Sequence, residues 1–159
     1  MNKVLQIDSE NQDALYTKGK WLEQLSRFDD ALELINNVLT VNPEHDKALR
    51  YKGLILQSLE RYDESDEFYQ KSAEVNQFNK INLKRWADLR ADFELYENAV
   101  ALYNSALEID PKFESAIFDL ANTLFVMGNY EEAITFYDKV LAINPDYADI
   151  IYDNVLIFE

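Results

Sequence analysis

The chain has 159 residues, 48% of them hydrophobic and 13% aromatic, which is enough for one domain with a packed core and excludes a disordered chain. It has no cysteine, so disulfides and thiolate metal sites are excluded, and its three glycines and three prolines favour long helices over a β-rich fold. Its formal charge of −15 opposes non-specific binding to nucleic acid or anionic lipid.

Targeting and membrane signals are not found in the sequence pattern. There is no basic N-terminus followed by an apolar core, and no stretch reaches the roughly 18 apolar residues that a membrane-spanning helix needs. We therefore expect a cytoplasmic protein that contacts neither a membrane nor DNA.

A 34-residue repeat organises the chain. It is visible in three similar phrases, VLTVNPEHDKAL, ALEIDPKFESAI and VLAINPDYADII, whose prolines are separated by 34 residues or by twice 34. Stepping by this period aligns residues of one kind in columns: small (Gly19, Gly53, Ala87, Ala121), aromatic (Phe28, Tyr62, Tyr96, Tyr130), small again (Ala31, Ser65, Ala99, Ala133) and bulky (Ile35, Tyr69, Tyr103, Tyr137). Agreement in so many columns indicates a series of equivalent structural units.

The chain begins inside a repeat. Residues 1–11 match only the tail of a preceding second helix, and the first full repeat spans 12–45. Leu15, Gly19 and Leu22 are spaced as i, i+4 and i+7, which places them on one face of a first helix. The small residue in the middle of this face lets a second helix approach closely.

The second helix of this repeat begins near Phe28. Asp29 and Asp30 follow it, and acids at this place favour a helix N-terminus through capping and through the helix dipole. Ala31 and Ile35 are one turn apart and give the second helix an apolar face. The proline that follows ends the helix, because the residue before a proline disfavours α geometry.

Further repeats follow in register. Three are complete, at 46–79, 80–113 and 114–147. Residues 148–159 match only a first helix, which would be a cap or a truncated repeat. Three residues depart from the pattern: Ser65 for alanine, Gln77 for proline, and Arg90 in place of a leucine or an aromatic residue. Each departure could loosen packing locally, and Arg90 must find water or a carboxylate.

These columns resemble the tetratricopeptide repeat, and the resemblance covers nearly the whole chain. It implies an all-α fold in a single domain: a right-handed α-solenoid of antiparallel helix pairs, with about four full repeats and partial repeats at both ends. It also implies that the first helices line a concave groove. The function implied is that of a protein–protein interaction scaffold, which binds a partner peptide or protein segment in the groove.

Basic side chains gather at the groove positions of the first helices: Lys20, Lys47, Arg50, Lys84 and Arg85. Many of the acids lie on the second helices instead. This division predicts a basic groove floor that attracts an acidic or carboxylate-bearing partner. The alternative is that the bases form ordinary surface ion pairs with Asp13, Glu23 and Asp88.

Other groove positions are also predicted to contact the partner: Tyr16, Phe118, Asn122, Phe125 and Tyr152. Exposed aromatic rings on a concave wall are suited to anchor a partner's side chains. The alternative is that these rings pack against neighbouring first helices.

An enzymatic function finds little support in the sequence. His45 is the only histidine and is expected to be exposed in a turn, no Cys or His cluster can hold zinc, and no glycine-rich phosphate loop occurs. We therefore expect no catalytic residue, metal or cofactor. An RNA-binding helical repeat is a further alternative, which the net acidity opposes.

The end of the array predicts another contact. Ile150 and Ile157 are seven residues apart, on a face where another first helix would dock. This apolar pair fits three interpretations: a fragment of a longer array, a homo-oligomer that assembles through its ends, or an apolar cap. The N-terminus begins inside the pattern of a second helix, which favours the fragment interpretation.

Overall fold

The computed structural model describes residues 2–151, and it describes side chains from residue 12 onward. This part of the chain consists of helices joined by short turns: α1 (Asn2–Gln24), α2 (Phe28–Val41), α3 (Asp46–Ser58), α4 (Tyr62–Val75), α5 (Lys80–Asp92), α6 (Tyr96–Ile109), α7 (Glu114–Val126) and α8 (Tyr130–Ile143), followed by a helical segment over 147–151. No strand occurs between residues 2 and 151, and the predicted all-α fold class is confirmed.

The helices group into two compact units, Met1–Gln77 (unit 1) and Phe78–Glu159 (unit 2). In unit 1, α1 pairs antiparallel with α2 and α3 with α4, and α2 also contacts α3. In unit 2, α5 pairs with α6 and α7 with α8, and α6 contacts α7. Each unit holds two of the predicted helix pairs, and the single domain expected from the sequence stays a prediction.

Helix α1 is longer than the other first helices because it begins at Asn2. The border between residues 11 and 12, where the sequence pattern of one repeat gives way to the next, lies inside α1. No turn marks this border, so the assignment of residues 1–11 to the tail of a preceding repeat stays a prediction.

Small residues of the first helices lie against bulky residues of the second helices. A Cβ added to Gly19 would lie 3.0 Å from Ile35 Cδ1, and one added to Gly53 would lie 3.1 Å from the ring of Tyr69. Ile35 and Tyr69 are completely buried. The close approach predicted from the repeat columns therefore occurs in both helix pairs of unit 1.

The second helices begin differently from the prediction. Their N-cap positions hold side chains that do not cap the helix: Arg27, Arg61, Leu95 and Asn129. The acids Asp29 and Asp30 lie inside the first turn, where they act through the helix dipole. Asp30 also accepts a 2.6 Å hydrogen bond from Arg27 Nε. The prediction that these acids cap the helix was therefore wrong, whereas their predicted contribution through the helix dipole fits the structure.

A polar contact closes three of the repeats where the second helix ends. The side chain that begins a first helix meets the side chain that follows the second helix, in three pairs: Asp46 with Asn76, Lys80 with Asp110, and Glu114 with Asn144. We call each pair a terminal clasp. Helix α4 ends at Val75 in the same register as the others, although Gln77 replaces the proline. The proline is therefore not required to end a second helix.

The other departures from the repeat pattern are also accommodated. Ser65 is fully buried and donates a 2.8 Å hydrogen bond to the carbonyl oxygen of Gly53. The guanidinium of Arg90 lies over the ring of Trp86, 5.8 Å from its centroid, and so contacts an aromatic face. Both polar side chains are thus engaged within their own unit.

Candidate binding faces

The predicted groove residues of unit 1 come from α1 and α3: Tyr16, Lys20, Lys47 and Arg50. We call them the first-helix face of unit 1. The Tyr16 ring stacks on His45 with centroids 5.9 Å apart and meets the Tyr51 ring edge-on at 5.6 Å. Burial raises the pKa of Tyr16, and the nearby positive charge of Arg50 opposes this shift. The structure thus places two of the predicted residues, Tyr16 and Arg50, close together.

The cations of this face have no carboxylate partner in the described part of the chain. Lys47 is exposed, whereas Lys20 and Arg50 are partly buried, and none of the three forms an ion pair there. The Nε of Arg50 is buried and has no hydrogen-bond acceptor among the residues that the structure describes. A buried donor without an acceptor costs about 1–3 kcal/mol.

Glu23 was considered as a partner for these cations, but it binds elsewhere. It accepts a 2.9 Å hydrogen bond from the Tyr51 hydroxyl, which links α3 to α1. Burial is the main cause that raises the pKa of Tyr51 well above its usual range, and the hydrogen bond to Glu23 is the second. The hydroxyl therefore stays protonated and remains the donor, and the alternative pairing through Glu23 does not occur.

A cavity of about 340 Å³ lies beside this face, at the turn between α2 and α3. It is lined by polar and aromatic side chains: Asp13, Tyr16, Asn42, Glu44, His45, Asp46 and Lys47. We call it the turn cavity. The expectation that His45 is exposed was wrong: it is partly buried, and its Nδ1 accepts a 3.2 Å hydrogen bond from the Ala48 N–H, which caps α3.

In unit 2 the predicted groove base Lys84 is already paired. Its Nζ lies 2.9 Å from Asp88 Oδ2 and 2.5 Å from Asp119 Oδ2, so it joins α5 to α7. Tyr103, which is only 2% exposed, donates a 2.8 Å hydrogen bond to the other oxygen of Asp88. We call these four residues the Lys84 network. For Lys84 the structure supports the alternative of ion pairing.

Charges in the Lys84 network shift each other's pKa values. Burial is the largest influence on Lys84 and favours the neutral amine, but Asp119 and Asp88 together outweigh it and raise the pKa of Lys84. Burial raises the pKa of Asp119, and Lys84 opposes that shift. Because Lys84 is charged and doubly paired, it is not available to a partner's carboxylate. Arg85, which follows it, is exposed.

The other predicted contacts of unit 2 are engaged within the unit. Phe118 lies 5.1 Å from the Tyr147 ring between centroids, and Phe125 lies 5.1 Å from the Tyr130 ring. Asn122 Oδ1 accepts a 2.7 Å hydrogen bond from the Tyr137 hydroxyl. All three predicted residues, Phe118, Asn122 and Phe125, remain partly exposed. The rings therefore pack internally, and their contact with a partner stays a prediction.

Three predicted residues lie at the C-terminal end. Ile150 is 48% exposed. Tyr152 and Ile157 lie outside the described residues, so their roles in the groove and in self-association stay predictions.

Sequence reasoning missed the second partner of Lys84 and the role of Tyr103. Two signals in the sequence concern the partners of Lys84. Asp88 is one helical turn after Lys84, and Asp119 occupies in the fourth repeat the position that Arg85 has in the third. A third signal was that Tyr103 and Tyr137 both follow a polar first-helix residue by 15 positions, and both bond to it.

Two protein-family models match the chain. One model matches residues 16–76 and another matches residues 90–152, and both describe a tetratricopeptide repeat. Together they match more than three quarters of the chain. The chain belongs to the tetratricopeptide repeat family. Tetratricopeptide repeat proteins bind protein partners and are typically non-catalytic, so the chain is a protein-interaction scaffold in general terms.

Solved structures share the tetratricopeptide repeat fold. A crystal structure of MamA has 18% identity and a TM-score of 0.79, and the match covers 93% of this chain and 86% of that one. MamA from Desulfovibrio magneticus RS-1 has 18% identity and a TM-score of 0.75, covering 86% of this chain and 77% of that one. PilF of Pseudomonas aeruginosa has 19% identity and a TM-score of 0.81, covering 87% of this chain and 63% of that one. At these identities the likeness shows the fold alone.

Other comparisons add little to the tetratricopeptide repeat assignment. No curated protein sequence matches the chain. Between residues 2 and 151, no helix is long and apolar enough to cross a membrane.

Proposed function

We propose that the chain binds an acidic or carboxylate-bearing segment of a protein partner on the first-helix face of unit 1. The observation that carries this proposal is the set of three cations, Lys20, Lys47 and Arg50, which form no ion pair in the described part of the chain. The chain has 30 acids and 15 bases, so cations that remain without an acid are well placed to receive a negative group from outside.

Arg50 supplies the directional contact in this proposal. Its planar guanidinium can hold a carboxylate through two parallel hydrogen bonds, and it is partly buried near Tyr16. Lys20 and Lys47 act as charges on flexible stems, so they attract the segment without fixing its direction. The partner's carboxylate is therefore bound by Arg50 and attracted by the two lysines.

The corresponding positions of unit 2 add a different kind of contact. Lys84 is neutralised by Asp88 and Asp119, so Arg85 is the cation that remains exposed there. Phe118 and Phe125 offer the partly exposed parts of their rings. In the proposal, unit 2 therefore contributes more aromatic contact and less charge than unit 1.

Partner capture tests the proposal. The chain is immobilised, a partner is captured from an extract of the source cells, and the affinity for the purified partner is measured. Arg50→Glu is expected to weaken binding at least tenfold, because it replaces a charge-assisted hydrogen bond of about 1.5–3 kcal/mol with repulsion.

The matched control is Lys71→Glu, which makes the same charge change in unit 1 on the exposed side of α4. It is expected to leave the affinity within about twofold, since exposed charges contribute about 0–1 kcal/mol. An affinity that is unchanged by Arg50→Glu, or lowered equally by both changes, contradicts the proposal.

Self-association through the C-terminal end is a second candidate, which the exposure of Ile150 favours. A contact between an end and a different surface would be heterologous and could propagate. In that case light scattering shows a mass that rises with concentration, and Ile150→Asp suppresses the rise. A monomer at all concentrations contradicts this candidate.

A further inference from the structure

We infer that the turn cavity of unit 1 binds one arginine side chain of the partner. The inference rests on the proposed function, because it assigns a second contact to the same partner. It adds a subsite for a cation beside the face that is proposed to bind a carboxylate.

The size of the turn cavity fits a single long side chain. Its volume of about 340 Å³ is at the lower end of the roughly 300–1,000 Å³ that is usual for ligand pockets. No aliphatic side chain of the described residues lines it. A polar cavity of this size is suited to one charged group on a stem.

The charge of the lining selects a cation. Three carboxylates, those of Asp13, Glu44 and Asp46, line the cavity together with one ammonium, that of Lys47. Asp46 is held in place because its Oδ2 accepts a 2.8 Å hydrogen bond from Asn76 in the terminal clasp. The net negative charge of this lining favours a cation, and Asp46 is an acceptor that is already in position.

Two rings in the lining favour a guanidinium over an ammonium. Tyr16 and His45 stack with centroids 5.9 Å apart and planes inclined by 27°, and His45 is held by its bond to the Ala48 N–H. A planar guanidinium can stack flat on an aromatic face while it holds a carboxylate with two parallel hydrogen bonds, and an ammonium matches this geometry less well.

A metal ion is not the occupant that the lining favours. Among the residues that the structure describes, no group of three or more His, Cys, Asp or Glu side chains is arranged to hold a metal ion. The carboxylates of the turn cavity are therefore not arranged as a metal site. The partner is then expected to carry an arginine close to the acidic residue that binds Arg50.

An NMR titration of the full chain tests the inference with a defined probe. The probe is the tripeptide acetyl-Gly-Arg-Gly-amide, and its control carries citrulline, a neutral side chain of nearly the same shape, in place of arginine. The arginine peptide is expected to produce saturable shifts of the Ala48 amide and the His45 ring signals. Binding of the citrulline peptide is expected to be at least fivefold weaker.

Two variants connect these shifts to the cavity. Asp13 and Glu44 are exposed, so the double change Asp13→Asn, Glu44→Gln should leave the fold intact and weaken the arginine peptide about fivefold. Glu33→Gln, an exposed acid on α2 outside the cavity, is the matched control and should leave the affinity unchanged. Equal affinity for both peptides, or no effect of the double change, overturns the inference.

Failure of this inference can be told apart from failure of the proposed function. The tripeptide titration does not depend on Arg50, so a loss of preference for arginine overturns the cavity assignment alone. Partner binding that is insensitive to Arg50→Glu overturns the proposed function, whatever the tripeptide shows.

Discussion

Replacing Lys84 by methionine removes the cation that pairs with both Asp88 and Asp119 while keeping a stem of similar length. Breaking a buried pair by removing one partner costs about 3–5 kcal/mol. The side chain of Lys84 is 16% exposed, and those of Asp88 and Asp119 are 22% and 28% exposed, so solvent reduces this cost. We expect Lys84→Met to lower the free energy of unfolding by about 2–3 kcal/mol.

Chemical denaturation and thermal unfolding followed by circular dichroism measure this effect. For a chain of this length the loss corresponds to a fall in Tm of about 5–10 °C. The triple variant in which Asp88→Asn and Asp119→Asn accompany Lys84→Met should recover most of the stability, because no uncompensated charge is left. Lys71→Met is the control, since Lys71 forms an exposed pair with Glu67 and its loss should cost under about 0.5 kcal/mol.

The same variant gives a pH dependence whose sign follows from Asp119. Burial raises the pKa of Asp119 in the folded chain, and removing Lys84 removes a group that lowers it. A carboxyl with a raised folded pKa favours folding below its unfolded pKa, about 3.9, and loses this contribution as the pH rises through the folded value. The defect of Lys84→Met should therefore be smaller near pH 4 than at pH 7. A defect below about 0.5 kcal/mol at pH 7, or one that grows toward acid pH, would refute the reasoning.

Three further changes test local contacts. Tyr137→Phe removes the hydroxyl that bonds to Asn122 and should cost about 1 kcal/mol in denaturation, with loss of the distinct side-chain amide signals of Asn122 by NMR. His45→Ala should cost about 1 kcal/mol by removing the cap of α3, whereas His45→Asn should keep most of it; equal losses would contradict the capping role. Asp110→Asn should lower the Tm by breaking the clasp with Lys80, and adding Lys80→Glu should restore it by reproducing the Glu–Asn clasp of the fourth repeat; no recovery would show that the clasp is incidental.

The helix pairs could be predicted because their packing repeats along the chain. Gly19 and Gly53 fall in one column and Ile35 and Tyr69 in another, so the period alone shows which residues meet between the helices. The ends of the helices were less predictable. The prolines at the repeat ends predicted that proline terminates the second helices. The clasp side chains that meet there lie in two different columns, so the period does not show that they bond to each other.

The candidate binding faces were harder to predict than the fold. The sequence places Lys84 and Arg50 at equivalent positions of their repeats, yet of these two only Lys84 forms ion pairs in the part of the chain that the structure describes. The difference comes from one neighbour: Asp119 lies beside Lys84 from the next first helix, whereas no acid pairs with Arg50 in the described chain. Such contacts depend on the identity of single residues in adjacent repeats. A periodic pattern shows only what the repeats have in common, so it does not predict these contacts.

The most direct test of the central claim is an NMR map of the captured partner on the labelled chain. If the first-helix face of unit 1 binds the partner, signals of α1 and α3 around Tyr16 and Arg50 shift on addition of the partner, while the exposed sides of α2 and α4 stay unchanged. Shifts confined to α2 and α4, or to the residues around Ile150, would contradict the account.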